Sequence, residues 1–281
     1  MFYGKIKNRL EEEITLMWKH PPVKFGLFHI FFVLLAIVLL GIAIYFGYRF
    51  QGKEKQKKRD LILTITGLNL VAMDIGKIIF DFARHSADWS LVPLQLCSTA
   101  LLVLPLPYFL KEGKFRDCVY GYLAFIRTTA GICYFVNPTT LFEQPYIISC
   151  IHSGIYHVLI IASGTFLFFS NERYSKKGVI CFLRSVPLFV FFTLLAVGGN
   201  SIALHLDPHT KIDYFFLNPK GPATIPVLDT LVRPRIPFVG YYFVYLGCRL
   251  ICNFVPFLVF SLINLAVKKV KNQRTEQVKE A

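Results

Sequence analysis

Long apolar runs, separated by short clusters of charge, organise this chain from residue 25 onward. Seven of them can be drawn, at roughly 25–48, 61–83, 91–110, 118–137, 145–169, 178–200 and 239–267. Each approaches the roughly 20 apolar residues that carry a helix across the hydrocarbon core of a bilayer. The pattern predicts an all-α polytopic membrane bundle of about seven transmembrane helices. Pro105 and Pro107 predict a kink or an end in the third run, because proline removes a helical N–H and neighbouring helices must satisfy the carbonyls it frees. Ahead of the first run, Phe2, Ile6, Leu10, Ile14 and Trp18 recur at helical spacing. Residues 1–24 therefore read as an amphipathic segment lying along the membrane surface. The remaining organisation is a transmembrane domain over 25–267 and a basic tail over 268–281. No internal repeat is visible.

Composition agrees with the pattern. The 281 residues are 54% hydrophobic and only 17% charged, too apolar for an ordinary soluble domain of this length. The formal net charge of +14 could point to nucleic acid, but lysine and arginine flanking membrane spans account for it, and no nucleic-acid partner is expected. The bilayer itself is the expected partner. The first run is too long for a signal-peptide core, so it reads as a retained helix.

The charges between runs set an expected orientation. Arg49, Lys53, Lys55, Lys57, Lys58 and Arg59 follow the first run; Lys111, Lys114 and Arg116 follow the third; Arg173, Lys176 and Lys177 follow the fifth. Only Arg84 follows the second and fourth. The positive-inside rule then places the odd loops and the tail with Lys268, Lys269 and Lys271 in the cytoplasm, with the N-terminus outside. A multi-pass protein of the plasma membrane is expected. The long connection at about 201–238, rich in proline and glycine, falls on the outer side, where such loops commonly act as lids or docking elements.

Charges within the runs are more informative, since each costs about 2.5–3.5 kcal/mol at a helix centre and must face the bundle interior or an interface. Asp74, Lys77 and Asp81 fall at i, i+3 and i+7 on one helix face, and an Asp74–Lys77 ion pair is expected there. Arg184 can snorkel to the cytoplasmic surface. Arg127 and Arg249 have no such escape. Cations outnumber anions in the runs, so a phosphate or carboxylate ligand, such as a phospholipid headgroup, suits the missing charge. Asp74, Lys77, Arg127 and Arg249 are the candidate substrate-binding residues.

The candidate chemistry is a thiol and an imidazole. Cys97 stands in L-Q-L-C-S-T-A-L-L-V-L-P-L-P at the start of the third run, and His152 and His157 stand in I-H-S-G-I-Y-H-V-L-I-I. A cysteine with a histidine beside it is an activated nucleophile, although a buried cysteine is more commonly a small apolar side chain. At 1.5 Å per residue, Cys97 lies roughly 9 Å deep, His152 about 10 Å and His157 about 18 Å. Five residues apart, the two imidazoles diverge by about 140°, and depth alone favours His152. The seven cysteines lack any C-x-x-C, which argues against a disulfide scaffold or a zinc site. His205, Asp207 and His209 in H-L-D-P-H offer weak metal-ligand spacing, and neither a metal nor a cofactor is expected.

Over most of residues 61–265 the chain resembles the YwaF-type family of bacterial integral membrane proteins and its animal relatives, which include cysteine-dependent transmembrane phospholipid acyltransferases. The stretches that carry the resemblance are M-D-I-G-K (73–77), L-Q-L-C (94–97), F-V-N-P-T-T-L-F-E (135–143), Y-H-V-L-I (156–160) and D-Y-F-F-L-N-P-K-G-P (213–222). It is more distantly similar to androgen-regulated membrane hydrolases of fatty-acid esters, which use threonine and histidine. The resemblance implies that Cys97 accepts an acyl group from a membrane phospholipid or lysophospholipid and that His157, rather than His152, is its partner. Where the animal cysteine precedes a histidine, this chain has Ser98. The expected function is acyl transfer or hydrolysis on membrane lipids. The alternative is a non-enzymatic transporter or lipid-binding protein whose intramembrane charges line a path.

Overall fold

The computed structural model describes residues 25–83, 88–137, 146–220 and 228–280. The amphipathic segment expected over 1–24 and parts of the 135–143 and 213–222 stretches lie outside them. Among the described residues every regular element is helical: α1 (Leu27–Arg49), α2 (Gln56–Ala83), the single turn α3 (Ala100–Val103), α4 (Lys114–Gly121), a π-helical stretch Tyr122–Arg127, α5 (Thr128–Val136), α6 (Ile147–Ser170), α7 (Glu172–Leu206) and α8 (Phe238–Glu280). A break at Lys177 divides α7, and α8 continues as helix through residues 268–280.

Six of these helical stretches are long and apolar enough to cross a membrane: α1, α2, the continuous α4–π–α5 rod, α6, α7 beyond its break, and α8. The expected third span behaves differently. Residues 88–110 form a 3₁₀ turn at Trp89–Leu91, a chain of turns through Cys97 and the short α3. Pro93, Pro105 and Pro107 supply no N–H along this stretch, so a continuous helix would leave carbonyls unmet in an apolar setting. Its second half packs beside α2. Thr64 Oγ1 donates to the Pro105 carbonyl at 3.1 Å and accepts the Tyr108 N–H at 3.1 Å. A Cβ on Gly67 would meet Leu104 and Pro105 backbone at 2.5–2.9 Å.

The three basic loops gather at one end of the bundle. Gln51 donates to the Phe169 carbonyl at 2.8 Å, Gln56 to Glu112 at 3.0 Å, and Arg173 to Asp117 at 3.1 Å. Arg184 also reaches Asp117, so its charge ends at this basic face as its snorkelling position implied. Buried at the same end, Asp60 receives Arg116 and the Tyr120 hydroxyl. At the far end the Tyr214 hydroxyl donates to the Trp89 carbonyl, and His29 Nε2 donates to the Phe135 carbonyl at 3.1 Å.

Small residues allow close helix packing where lipid supplies no hydrophobic drive. The α4–π–α5 rod lies so close to α6 that a Cβ on Gly164 would strike Thr128 Oγ1 and sit 2.7 Å from the Leu123 carbonyl, while one on Gly131 would meet Ile161 at 2.7 Å. Gly41 on α1 has nothing within 4 Å. Opposite signs are therefore expected from one substitution. Gly164→Ala should destabilise by about 1–3 kcal/mol through overpacking, and Gly41→Ala should stabilise by up to about 1 kcal/mol through helix propensity. Thermal unfolding of the purified protein in detergent reads both, and equal shifts would contradict this packing.

Candidate functional site

Cys97 occupies a turn, not a helix, within the broken stretch. Its carbonyl accepts the Ala100 N–H at 3.2 Å and the Tyr156 hydroxyl at 3.1 Å. Irregular backbone at membrane depth persists only where it is buried in protein or lines a polar cavity. Here Tyr156 on α6 supplies one of the missing hydrogen bonds, and it does so from the helix that carries both histidines. The half-buried thiol has the Ser98 hydroxyl 4.0 Å away. Among the described residues it makes no hydrogen bond to either imidazole.

The two histidines take different neighbours, as their angular separation requires. His157 is 3% exposed and lies flat on the Tyr134 ring, with centroids 3.4 Å apart and planes at 2°. Its Nδ1 is 2.7 Å from the Ser153 carbonyl. A carbonyl only accepts, so Nδ1 carries the proton and Nε2 is the basic nitrogen. The Tyr134 hydroxyl donates to Ser153 Oγ at 2.5 Å, which fixes the stacked ring. His152 turns toward α2, where it lies within electrostatic range of Lys77 and Asp81. Its Nε2 is buried without a hydrogen-bond partner. The Tyr156 ring stands between the two imidazoles, 6.0 Å from His152 and 5.5 Å from His157.

The expected Asp74–Lys77 ion pair is not the one that forms. Lys77 pairs with Asp81 at 2.8 Å across an i, i+4 step, the longer spacing giving the ammonium a direct line along the helix face. Asp74, one turn earlier, makes no ion pair among the described residues but stays within electrostatic range of Lys77 and of the Tyr156 hydroxyl.

Arg127 is 1% exposed at the end of the π-helical stretch. Its Nη2 donates to the Tyr122 hydroxyl at 2.6 Å, which is 2.7 Å from Thr99 Oγ1, two residues beyond Cys97. The i, i+5 step from Tyr122 to Arg127 matches the π period, and such bulges recur at functional sites. Its charge lies within electrostatic range of the Cys97 thiol and of His157. Its Nε and Nη1 are buried with no hydrogen-bond partner. Arg249 stands on α8, with its Nε 3.2 Å from the Tyr245 hydroxyl and its guanidinium 5.4 Å from the Phe216 ring centre, and Tyr245 lies within electrostatic range of Tyr122.

Tyr156, Tyr122, Tyr134 and Thr99 were not singled out from the sequence, because an aromatic or threonine in an apolar run signals nothing until its cross-helix partner is known. The only sequence cue was the place of Tyr156 beside His157 in Y-H-V-L-I. His205 and His209 do not assemble with Asp207: its Oδ1 accepts the His209 N–H at 3.1 Å in a local turn. Among the described residues no three histidine, cysteine or acidic side chains are grouped to hold a metal ion.

A family model matches residues 24–263, from the start of α1 to near the apolar end of α8. The chain belongs to the TMEM164 family. Membership in this transmembrane family agrees with the six candidate spans and makes the protein a multi-pass membrane protein. The matched range takes in the Cys97 turn, both histidines and Arg127. No curated protein and no solved structure matches the chain.

Proposed function

We propose that the protein is a plasma-membrane enzyme that transfers or hydrolyses acyl chains of membrane lipids, with Cys97 as nucleophile and His157 as base. The observation that supports it most is the Cys97 turn: the chain abandons helical structure at bundle depth, at a thiol, and ties that turn to the histidine-bearing helix through Tyr156. The resemblance to cysteine-dependent acyltransferases points to the same pair. In this reading Cys97 Sγ attacks the ester carbonyl of a phospholipid or lysophospholipid. A C–S bond forms, the ester C–O bond breaks, and the thiol proton passes by way of His157 Nε2 to the leaving alkoxide. An acceptor hydroxyl or water then takes the acyl group and restores the thiol. His157 and Cys97 do not touch at rest, so the step needs a bridging water or the closer approach that substrate binding commonly brings. An acyl-thioester on Cys97, trapped with an alkyne-bearing phospholipid and released by neutral hydroxylamine, is the test.

We place the basic end of the bundle in the cytoplasm and the 201–238 connection outside. Single cysteines introduced at residues 50–60 and 111–117 should react with an impermeant thiol reagent only from the cytoplasmic side. Labelling of the 201–238 connection from that side would overturn the orientation.

A further inference from the structure

The bundle interior holds a cation without an anion. Arg127 is 1% exposed, makes no ion pair among the described residues, and spends one nitrogen on the neutral Tyr122 hydroxyl at 2.6 Å. Nε and Nη1 are buried and unpartnered, so the three N–H groups on those two nitrogens have no acceptor. A charge so placed is strongly unfavourable unless something compensates it. The π-helical turn that delivers it sacrifices regular helix to do so.

The site's depth selects the kind of anion. Arg127 lies 13 residues into the rod that starts at Lys114 and 9 before its end at Val136, so at 1.5 Å per residue it is about 20 Å from one end and 14 Å from the other. A phospholipid phosphate keeps its charge and stays with the headgroups, whereas a fatty acid can enter between helices in its neutral form and ionise beside the guanidinium. Thr99, through Tyr122, connects the arginine to the turn that bears Cys97. We propose that Arg127 is the receptor for the carboxylate of a single-chain fatty acid held within the bundle, with its tail along the apolar interior. The proposal stands on the uncompensated cation and survives if Cys97 proves unreactive.

The test is equilibrium binding of radiolabelled oleate to the full-length protein, depleted of lipid in detergent, with methyl oleate and lysophosphatidate as competitors. Oleate should bind wild type and Cys97→Ser alike. Arg127→Met should weaken binding about 10–100-fold, the range for losing a hydrogen-bonded charge contact, and Arg127→Lys should recover part of it. Methyl oleate should compete poorly. Retention of oleate by Arg127→Met, competition by methyl oleate equal to that of oleate, or stronger competition by lysophosphatidate would each overturn the proposal. Unfolding without ligand supplies a second measurement that guards against a folding defect. Without oleate, Arg127→Met should melt at or above the wild-type temperature, because the variant removes a buried charge that lacks a partner. At an oleate concentration that just saturates wild type, proteins retaining the cation should be stabilised more than Arg127→Met. A large fall in the melting temperature of ligand-free Arg127→Met would assign the residue to the fold and sink the idea.

Discussion

Cys97→Ser is expected to abolish the hydroxylamine-sensitive acyl label in membranes, and His157→Ala to slow its formation by about 10²–10⁴-fold at neutral pH, the usual worth of a positioned general base. The arguments for the two differ. Serine keeps the size and position of the cysteine side chain, so the Tyr156 bond to the backbone carbonyl and the surrounding turn should persist. Any acyl group taken up by serine would be an oxygen ester, which neutral hydroxylamine leaves intact. For His157, a free thiol of pKa about 8.5 is mostly protonated at neutral pH, so the reaction needs a group to accept its proton. His157 Nε2 is the basic nitrogen because Nδ1–H is committed to Ser153 at 2.7 Å. Raising the pH supplies thiolate directly and should recover part of the His157→Ala rate, but none of the Cys97→Ser label. His152→Ala should act weakly, since that imidazole faces α2. A reversed order, with His152→Ala the slower variant, would return the role to the residue that depth alone favoured. Unchanged labelling in Cys97→Ser would leave lipid binding or transport as the protein's function.

The hydropathy pattern was sufficient to read a helical membrane bundle, and six of its seven apolar runs are continuous helices. The run at 91–110 was legible as kinked or ended at Pro105 and Pro107, but not as irregular along most of its length, because apolar composition reports depth and says nothing of conformation. Its prolines were the available cue, and three of them in 88–110 outweigh a favourable hydropathy. The same division holds at the site. Cys97, both histidines and Arg127 could be named singly, since a thiol, an imidazole or a cation in lipid is conspicuous by its cost. Their partners could not. Tyr156 reaches a residue 59 positions away and Thr99 meets Tyr122 across 23, and no local spacing encodes such pairs. Within α2 the face shared by Asp74, Lys77 and Asp81 was readable, but not which carboxylate the lysine takes. Spacing along one helix limits that choice to two carboxylates without deciding between them, and the lysine takes the one a full i, i+4 step away.

Asp60→Leu is expected to destabilise the protein by about 3–5 kcal/mol, the cost of removing one member of a buried ion pair. Asp60 is 4% and Arg116 7% exposed. The Arg116 guanidinium reaches one carboxylate oxygen and the Tyr120 hydroxyl the other. Arg116 Nε also donates to Tyr120 at 3.0 Å, closing a triangle between the start of α2 and α4. Beside it, Arg59 Nη1 donates to the Phe50 and Gly52 carbonyls at 2.8 and 2.7 Å, which anchors the α1–α2 connection to the same point. Without Asp60, the Arg116 guanidinium is left buried without a carboxylate and within electrostatic range of Arg59, and the loss exceeds that of a single hydrogen bond. The double variant Asp60→Leu/Arg116→Met should recover most of the stability, because replacing a buried pair by apolar side chains of similar volume is often neutral or better. Thermal unfolding in detergent measures both variants, and their difference isolates the cost of the guanidinium charge that Asp60→Leu leaves buried. A single variant within about 0.5 kcal/mol of wild type, the range of ordinary surface substitutions, would mean that water reaches Arg116 and that this corner of the bundle is open.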